Sequence, residues 1–154
     1  MYTVRFQLEL SASEKRFLSK SFFYANQMHN QLVHYATNCL NTLFHDKEYL
    51  RVCKAYGESG FSKKETNELS ASEKKKKKEL SSIMNNKQKE CKLTKGALYK
   101  FVSKEQKKYK NYINSLLLDA VKTVISTIMK IVTVFKKNFL YTVIYGICFC
   151  LCLM

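Results

Sequence analysis

The stretch that decides the fold is SASEKRFLSKSFFYANQMHNQLVHYATNCLNTLFH, residues 11–45. It opens with Ser11 and Glu14, an S-x-x-E capping box in which two side chains satisfy free N–H groups at a helix start. Mostly apolar residues then recur at steps of three and four: Leu18, Phe22, Ala25, His29, Leu32, Ala36, Cys39 and Leu43. This period predicts one long amphipathic helix with these residues on its inner face.

The polar face of this helix carries no charge, because residues 21–45 contain no Asp, Glu, Lys or Arg. Amide side chains stand there instead, at Asn26, Gln27, Asn30, Gln31, Asn38 and Asn41. Two interpretations stay open. The amides contact the sugars and bases of a nucleic acid, or the helix packs inside a larger polar bundle.

Before the helix, apolar residues alternate with polar ones at Val4, Phe6, Leu8 and Leu10, which predicts a half-buried β-strand. The chain has no Pro and only 4 Gly, so long helices are favoured over a β-sandwich or barrel. We therefore expect a mainly α protein with one N-terminal strand, a bundle of long helices and an apolar C-terminal helix. Since no apolar signal sequence follows Met1, we expect a cytoplasmic protein with reduced cysteines.

The formal net charge of +15 is concentrated in the middle of the 154-residue chain. Residues 51–112 carry 18 basic and 7 acidic groups, a net +11, against +1 for residues 1–50 and +3 for residues 113–154. Such asymmetry predicts a polyanionic partner, either the backbone of RNA or DNA or an anionic membrane surface.

Two segments supply this charge. The heptapeptide Glu-Leu-Ser-Ala-Ser-Glu-Lys, found at residues 9–15, recurs at 68–74, so Ser70 and Glu73 predict a second capping box. It leads into the run Lys74–Lys78, which is typical of a solvated helix face or a mobile tail. From Leu93 to Ile113 an apolar seam alternates with lysines. The predicted phosphate contacts are Lys100, Lys104, Lys107, Lys108 and Lys110, and after these Arg5 and the Lys74–Lys78 run. Tyr109 and Asn30 are further candidates, through contacts with bases or sugars. The alternative left open is that the tyrosines of this segment lie in the core of a small helical domain.

No assembled active site is recognisable in the sequence. Cys148, Cys150 and Cys152 lack the C-x-x-C spacing of zinc sites, and there is no Gly-rich phosphate loop. A two-metal nuclease needs several carboxylates, yet Asp119 is the only acid after Glu105. We expect no catalytic residue, no metal and no cofactor.

Composition changes near Ser115. Residues 116–135 are rich in Val, Ile and Thr, and the 16 residues Phe139–Met154 carry no charge. As a helix these 16 would span about 24 Å, less than the ~30 Å hydrocarbon core of a bilayer. The sequence therefore leaves an alternative function open, a small basic membrane protein anchored through Phe139–Met154, with its lysines against anionic lipids.

The order of features over residues 1–115 resembles the N-terminal part of the TnpB/OrfB-type transposon proteins, RNA-guided nucleases related to type V CRISPR effectors. The residues that carry the resemblance are the N-terminal alternation and residues 10–15, then Phe17-Leu18, Phe22 and residues 25–33, and finally Leu93-Thr94, Leu98, Phe101-Val102 and residues 106–115. In that family a strand of the wedge domain precedes a helical recognition lobe.

The resemblance implies a wedge strand followed by a helical, recognition-lobe-like region over residues 1–115. It stops near Ser115, where the composition changes, and residues 116–154 are an apolar tail of uncertain origin. It implies that this lobe holds guide RNA and the heteroduplex through backbone contacts. The family's catalytic acidic triad and C-x-x-C zinc ribbon are not found here. The sequence is therefore interpreted as a non-catalytic, nucleic-acid-binding remnant of such a nuclease, truncated or frameshifted after about residue 115.

Overall fold

The computed structural model describes residues 9–61 and 69–137, and over these ranges it is mainly helical. The helices are α1 (Ala12–His45), α2 (Lys47–Glu58), α3 (Ala71–Glu90), α4 (Lys95–Gln106) and α5 (Ser115–Lys137), with a 3₁₀ turn at Lys107–Tyr109 after α4. The described ranges contain no β-strand. The strand predicted over Val4–Leu10 falls mostly on residues 1–8, outside the described residues, while Glu9 and Leu10 belong to no strand.

Both predicted capping boxes are confirmed. The backbone N–H of Glu14 donates to Ser11 Oγ at 3.3 Å, and the Ser11 N–H donates to the Glu14 carboxylate at 2.8 Å. Ser70 and Glu73 repeat the same two distances at the start of α3. The repeated heptapeptide is thus one helix-start solution used twice, since each box satisfies two N–H groups that a helix start leaves free.

Three helices, α1, α4 and α5, enclose the main core. Leu32 of α1, Leu98 of α4 and Ile125 of α5 are each fully buried in it. Ring contacts place Tyr24 against Tyr109 and Tyr35 against Phe101, so α1 and α4 run antiparallel. The start of α5 lies beside the N-terminal third of α1. Helix α5 also contacts α2, which follows the C-terminal end of α1. Helix α5 therefore runs parallel to α1.

The inner face of α1 is rotated relative to the prediction. Its buried residues are Ser21, Ala25, Met28, Leu32, Ala36, Leu40 and Leu43. Placing Phe22 on that face was wrong, because its side chain is 61% exposed. The hydroxyl of Ser21 donates to the Phe17 carbonyl at 3.0 Å. Because this bond satisfies the hydroxyl, Ser21 can be buried at low cost and lie on the inner face of α1.

Helices α2 and α3 form an antiparallel pair beside the bundle. Asp46 ends α1 and caps α2, where its carboxylate accepts the Tyr49 N–H at 2.8 Å. Lys87 of α3 bonds Glu48 at 2.7 Å and Asp46 at 3.1 Å, and these two carboxylates raise the pKa of Lys87. The Tyr49 N–H holds the pKa of Asp46 below its usual value, with Lys87 adding to the effect. These contacts fix the register in which α3 meets α2.

Packing continues across the change of composition near Ser115. The apolar stripe of α5 consists of Leu118, Val121, Ile125, Ile128 and Val132, and all five side chains belong to the same core as α1 and α4. The polar strip at Asp119, Lys122, Ser126, Lys130 and Thr133 faces outward or is half-buried. Residues 115–137 are therefore part of the bundle. The segment Phe139–Met154 lies outside the described residues.

Candidate nucleic-acid interface

Three lysines form a row on the outer face of α4 and its 3₁₀ extension. Lys100, Lys104 and Lys107 stand at positions i, i+4 and i+7, which share one side of a helix, and all three side chains are exposed. On the opposite side Leu98 and Val102 are buried in the core and so fix the orientation of the row. Within residues 9–61 and 69–137 no carboxylate pairs with these three lysines. We call Lys100, Lys104 and Lys107 the lysine row.

Lys108 has a different role from its neighbours. Its ammonium group donates to both carboxylate oxygens of Glu105, at 2.8 and 2.7 Å, and Glu105 is only 6% exposed. The two charges offset each other, since a nearly buried carboxylate needs a cationic partner. Lys108 was predicted to contact phosphate; the structure shows it holding an internal acid, while Lys110 is exposed beyond it.

An aromatic seam joins α1 to the end of α4. Tyr24 stacks on Tyr109 with centroids 4.7 Å apart and contacts Tyr112 at 4.9 Å, and Tyr35 stacks on Phe101 at 4.4 Å. Tyr109, predicted to contact bases, thus has one ring face covered by Tyr24 and is half-buried. The sequence reveals the apolar period of this segment, but a local period carries no information about which rings on α1 meet it.

The amides of α1 border this seam. Gln31 and Asn38 lie one turn before and after Tyr35, and both side chains are exposed, as is the predicted residue Asn30. The Asn30 amide oxygen lies 3.4 Å from His29 Nδ1. The uncharged polar face of α1 is therefore a solvent-facing surface next to the seam rather than a face packed inside the bundle.

The remaining predicted cations lie elsewhere. Arg5 is outside the described residues. The Lys74–Lys78 run occupies the N-terminal half of α3, where Lys74, Lys75, Lys76 and Lys78 are exposed and Lys77 is half-buried. The buried residues of α3, Met84 and Gln88, both lie in its C-terminal half, and α3 packs chiefly against α2. The run therefore forms a second basic surface, separate from the lysine row.

A small pocket opens where α1 meets the link between α4 and α5, and sequence reasoning missed it. Its volume is about 150 Å³. We call it the end pocket; it is lined by Phe17, Leu18 and Ser21 of α1, residues 110–114 of the link, and Leu117 of α5. Phe17 is 51% exposed although its ring contacts Tyr112 at a centroid distance of 5.9 Å. The alternation of apolar and polar residues gives no sign of this site, because it forms only when three segments meet.

Burial disfavours the thiolate form at two of the described cysteines. Burial raises the pKa of the Cys39 thiol, and the same cause raises that of Cys91. A raised pKa lowers the fraction of reactive thiolate. Among residues 9–61 and 69–137 no three His, Cys, Asp or Glu side chains come together in a group able to hold a metal ion. The same ranges hold no helix with the length and apolar character to cross a membrane.

Comparisons with protein-family models, with curated proteins and with solved structures find no match for this chain.

Proposed function

We propose that this chain is a nucleic-acid-binding protein that contacts the phosphate backbone of RNA or DNA through the lysine row and performs no cleavage itself. The supporting observation is the row: three exposed ammonium groups on one helix face, without carboxylate partners in the described ranges. Residues 92–110 carry seven lysines and a single acid, Glu105, which is already occupied by Lys108. Each lysine that neutralises a phosphate releases counterions and so adds to the affinity.

Two further features support the same surface. The exposed amides of α1 beside the aromatic seam provide donors and acceptors for sugars and base edges, which lysines alone do not. The resemblance of residues 1–115 to the recognition lobe of TnpB/OrfB-type nucleases points to the same class of ligand, and we propose a common origin with that lobe. The membrane alternative depends on Phe139–Met154, outside the described residues, and no described feature favours it.

The test compares two triple variants that remove the same charge. Lys100→Gln/Lys104→Gln/Lys107→Gln removes the lysine row, and Lys74→Gln/Lys75→Gln/Lys76→Gln removes three exposed lysines of α3. Binding to a labelled RNA is measured by fluorescence anisotropy as a function of salt. The row variant should lose about tenfold in affinity at ~100 mM salt and its log–log salt slope should become shallower by about 2.

The α3 variant should change the affinity by less than half as much on a logarithmic scale. Circular dichroism of both variants checks that their helix content is retained. Equal losses in the two variants would show that only the overall charge matters, and failure of the unmodified protein to bind any nucleic acid would refute the proposed function.

A further inference from the structure

The end pocket combines an apolar interior with a polar, cationic rim. Of the apolar residues that line it, Ile113 is 5% exposed, and Leu18 and Leu117 are half-buried. Phe17 forms one wall, and its ring is tilted by 33° from that of Tyr112, so the two rings are not stacked on each other. An aromatic wall beside a pocket of about 150 Å³ suits a flat ring of the size of a nucleobase.

The polar groups at the rim match the edge of a base. The Asn114 side-chain oxygen accepts the Leu117 N–H at 2.9 Å, which orients the Asn114 amide and leaves its NH₂ group outside that bond. Asn111 is exposed, and its side chain makes no hydrogen bond within the described ranges. The Ser21 hydroxyl already donates its hydrogen bond to the Phe17 carbonyl. Asn111 and Asn114 are thus the amides available to a ligand edge.

One cationic residue lines the pocket, and others are close in sequence to the residues that line it. Lys110 lines it, and Lys107 of the row lies three residues earlier in the chain. Arg16 and Lys20, directly before and three residues after Phe17, are exposed on α1. A base in the pocket would therefore have its flanking phosphates next to positive charge, with the strand continuing along the row.

We infer that the end pocket receives an unpaired nucleobase, with Phe17 stacking on it and the Asn111 and Asn114 amides meeting its edge. The ligand class is then single-stranded nucleic acid, since a base within a duplex would first have to be unpaired and unstacked to enter a pocket. The inference rests on the proposed function: the lysine row supplies the phosphate contacts and the pocket supplies the preference for single strands.

The experiment compares three labelled ligands of about 12 nucleotides: an oligouridylate, the same backbone with abasic sites, and an RNA duplex. Phe17→Ala is measured beside Phe22→Ala. Phe22 is a matched control because it lies on the same helix, is 61% exposed and does not line the pocket. Phe17→Ala should weaken oligouridylate binding about tenfold and leave duplex binding unchanged, and Phe22→Ala should change neither.

The abasic ligand provides the sharper comparison. The unmodified protein should bind it about tenfold more weakly than oligouridylate. Phe17→Ala should lose most of this preference, because stacking on Phe17 is the larger of the contacts that the abasic strand lacks. Asn111→Ala replaces an exposed side chain and should also reduce the preference for oligouridylate over the abasic strand. Equal affinity of the unmodified protein for oligouridylate, abasic strand and duplex would overturn the inference while leaving the proposed function intact. Absence of binding to all three ligands would refute the proposed function itself, and the inference with it.

Discussion

Lysines near the end of α4 and in the 3₁₀ turn after it differ in their partners because of one buried acid. Glu105 is 6% exposed and receives two bonds from Lys108, whereas Lys104, one residue before Glu105, is exposed and has no acidic partner in the described ranges. Lys108 is three residues after Glu105 and therefore on the same side of the helix, whereas adjacent residues such as Lys104 and Glu105 do not face each other. This spacing and the burial of Glu105 pair Lys108 with the acid and leave Lys104 without a carboxylate partner in the described ranges.

Replacing Lys108 should therefore affect stability more than binding. Lys108→Gln leaves the Glu105 carboxylate without its cation, and we expect the free energy of unfolding in urea to fall by about 1–2 kcal/mol. The double variant Lys108→Gln/Glu105→Gln should recover most of this loss. Lys104→Gln serves as the control: it should leave the stability unchanged and reduce the salt slope of RNA binding by about 0.7. A larger binding loss for Lys108→Gln than for Lys104→Gln would contradict this assignment.

At the scale of the helix, the sequence predicts features that depend on a few neighbouring residues. It does not predict which side chains the packing of the bundle will bury. The capping boxes at Ser11 and Ser70 were predictable because each needs only four consecutive residues. The inner face of α1 was predicted with Phe22 inside, since a large aromatic side chain normally outranks serine in burial. In the structure Ser21 is the buried residue, with its hydroxyl bonded to the Phe17 carbonyl, and Phe22 is exposed.

The candidate site was predictable to the same extent. The lysines and the apolar seam of α4 follow from a helical period, and their placement on opposite sides is confirmed. The stacking of Tyr24 on Tyr109 joins positions 85 residues apart, and the end pocket needs three segments at once. Such contacts depend on the packing of the whole bundle and leave no pattern in any one stretch of sequence.

Helix α5 offers a direct test of how far the bundle extends past the change in composition at Ser115. Ile125→Ala removes a side chain that is fully buried between α1 and α4, so the free energy of unfolding should fall by about 2–5 kcal/mol. Val134→Ala, on the same helix, should change it by about 0.5 kcal/mol or less, because Val134 is 49% exposed. Urea unfolding followed by circular dichroism measures both. If Ile125→Ala were as harmless as Val134→Ala, α5 would not be part of the core.

For the whole molecule, the net charge is expected to act in opposite directions on folding and on the proposed binding. A net charge of +15 repels itself in the compact state, most strongly at the Lys74–Lys78 run, where five consecutive lysines share one helix. The same excess of positive charge attracts a polyanion. Salt screens both interactions, since the Debye length falls to about 10 Å at 0.1 M. Screening should thus stabilise the free protein and weaken its complex.

We therefore expect the thermal midpoint of the free protein to rise by about 2–4 °C between ~20 and ~200 mM NaCl, while its affinity for RNA falls. Replacing Lys74–Lys78 by Gln should remove most of the rise in midpoint, because that run supplies the densest repulsion. Replacing the lysine row should mainly reduce the salt dependence of the proposed RNA binding and change the midpoint less, because its three lysines are a turn apart and repel one another less than those of the run. A midpoint that falls with salt would show that attractive pairs, such as Lys87 with Glu48 and Asp46, outweigh the repulsion, and the two basic surfaces could not then be separated in this way.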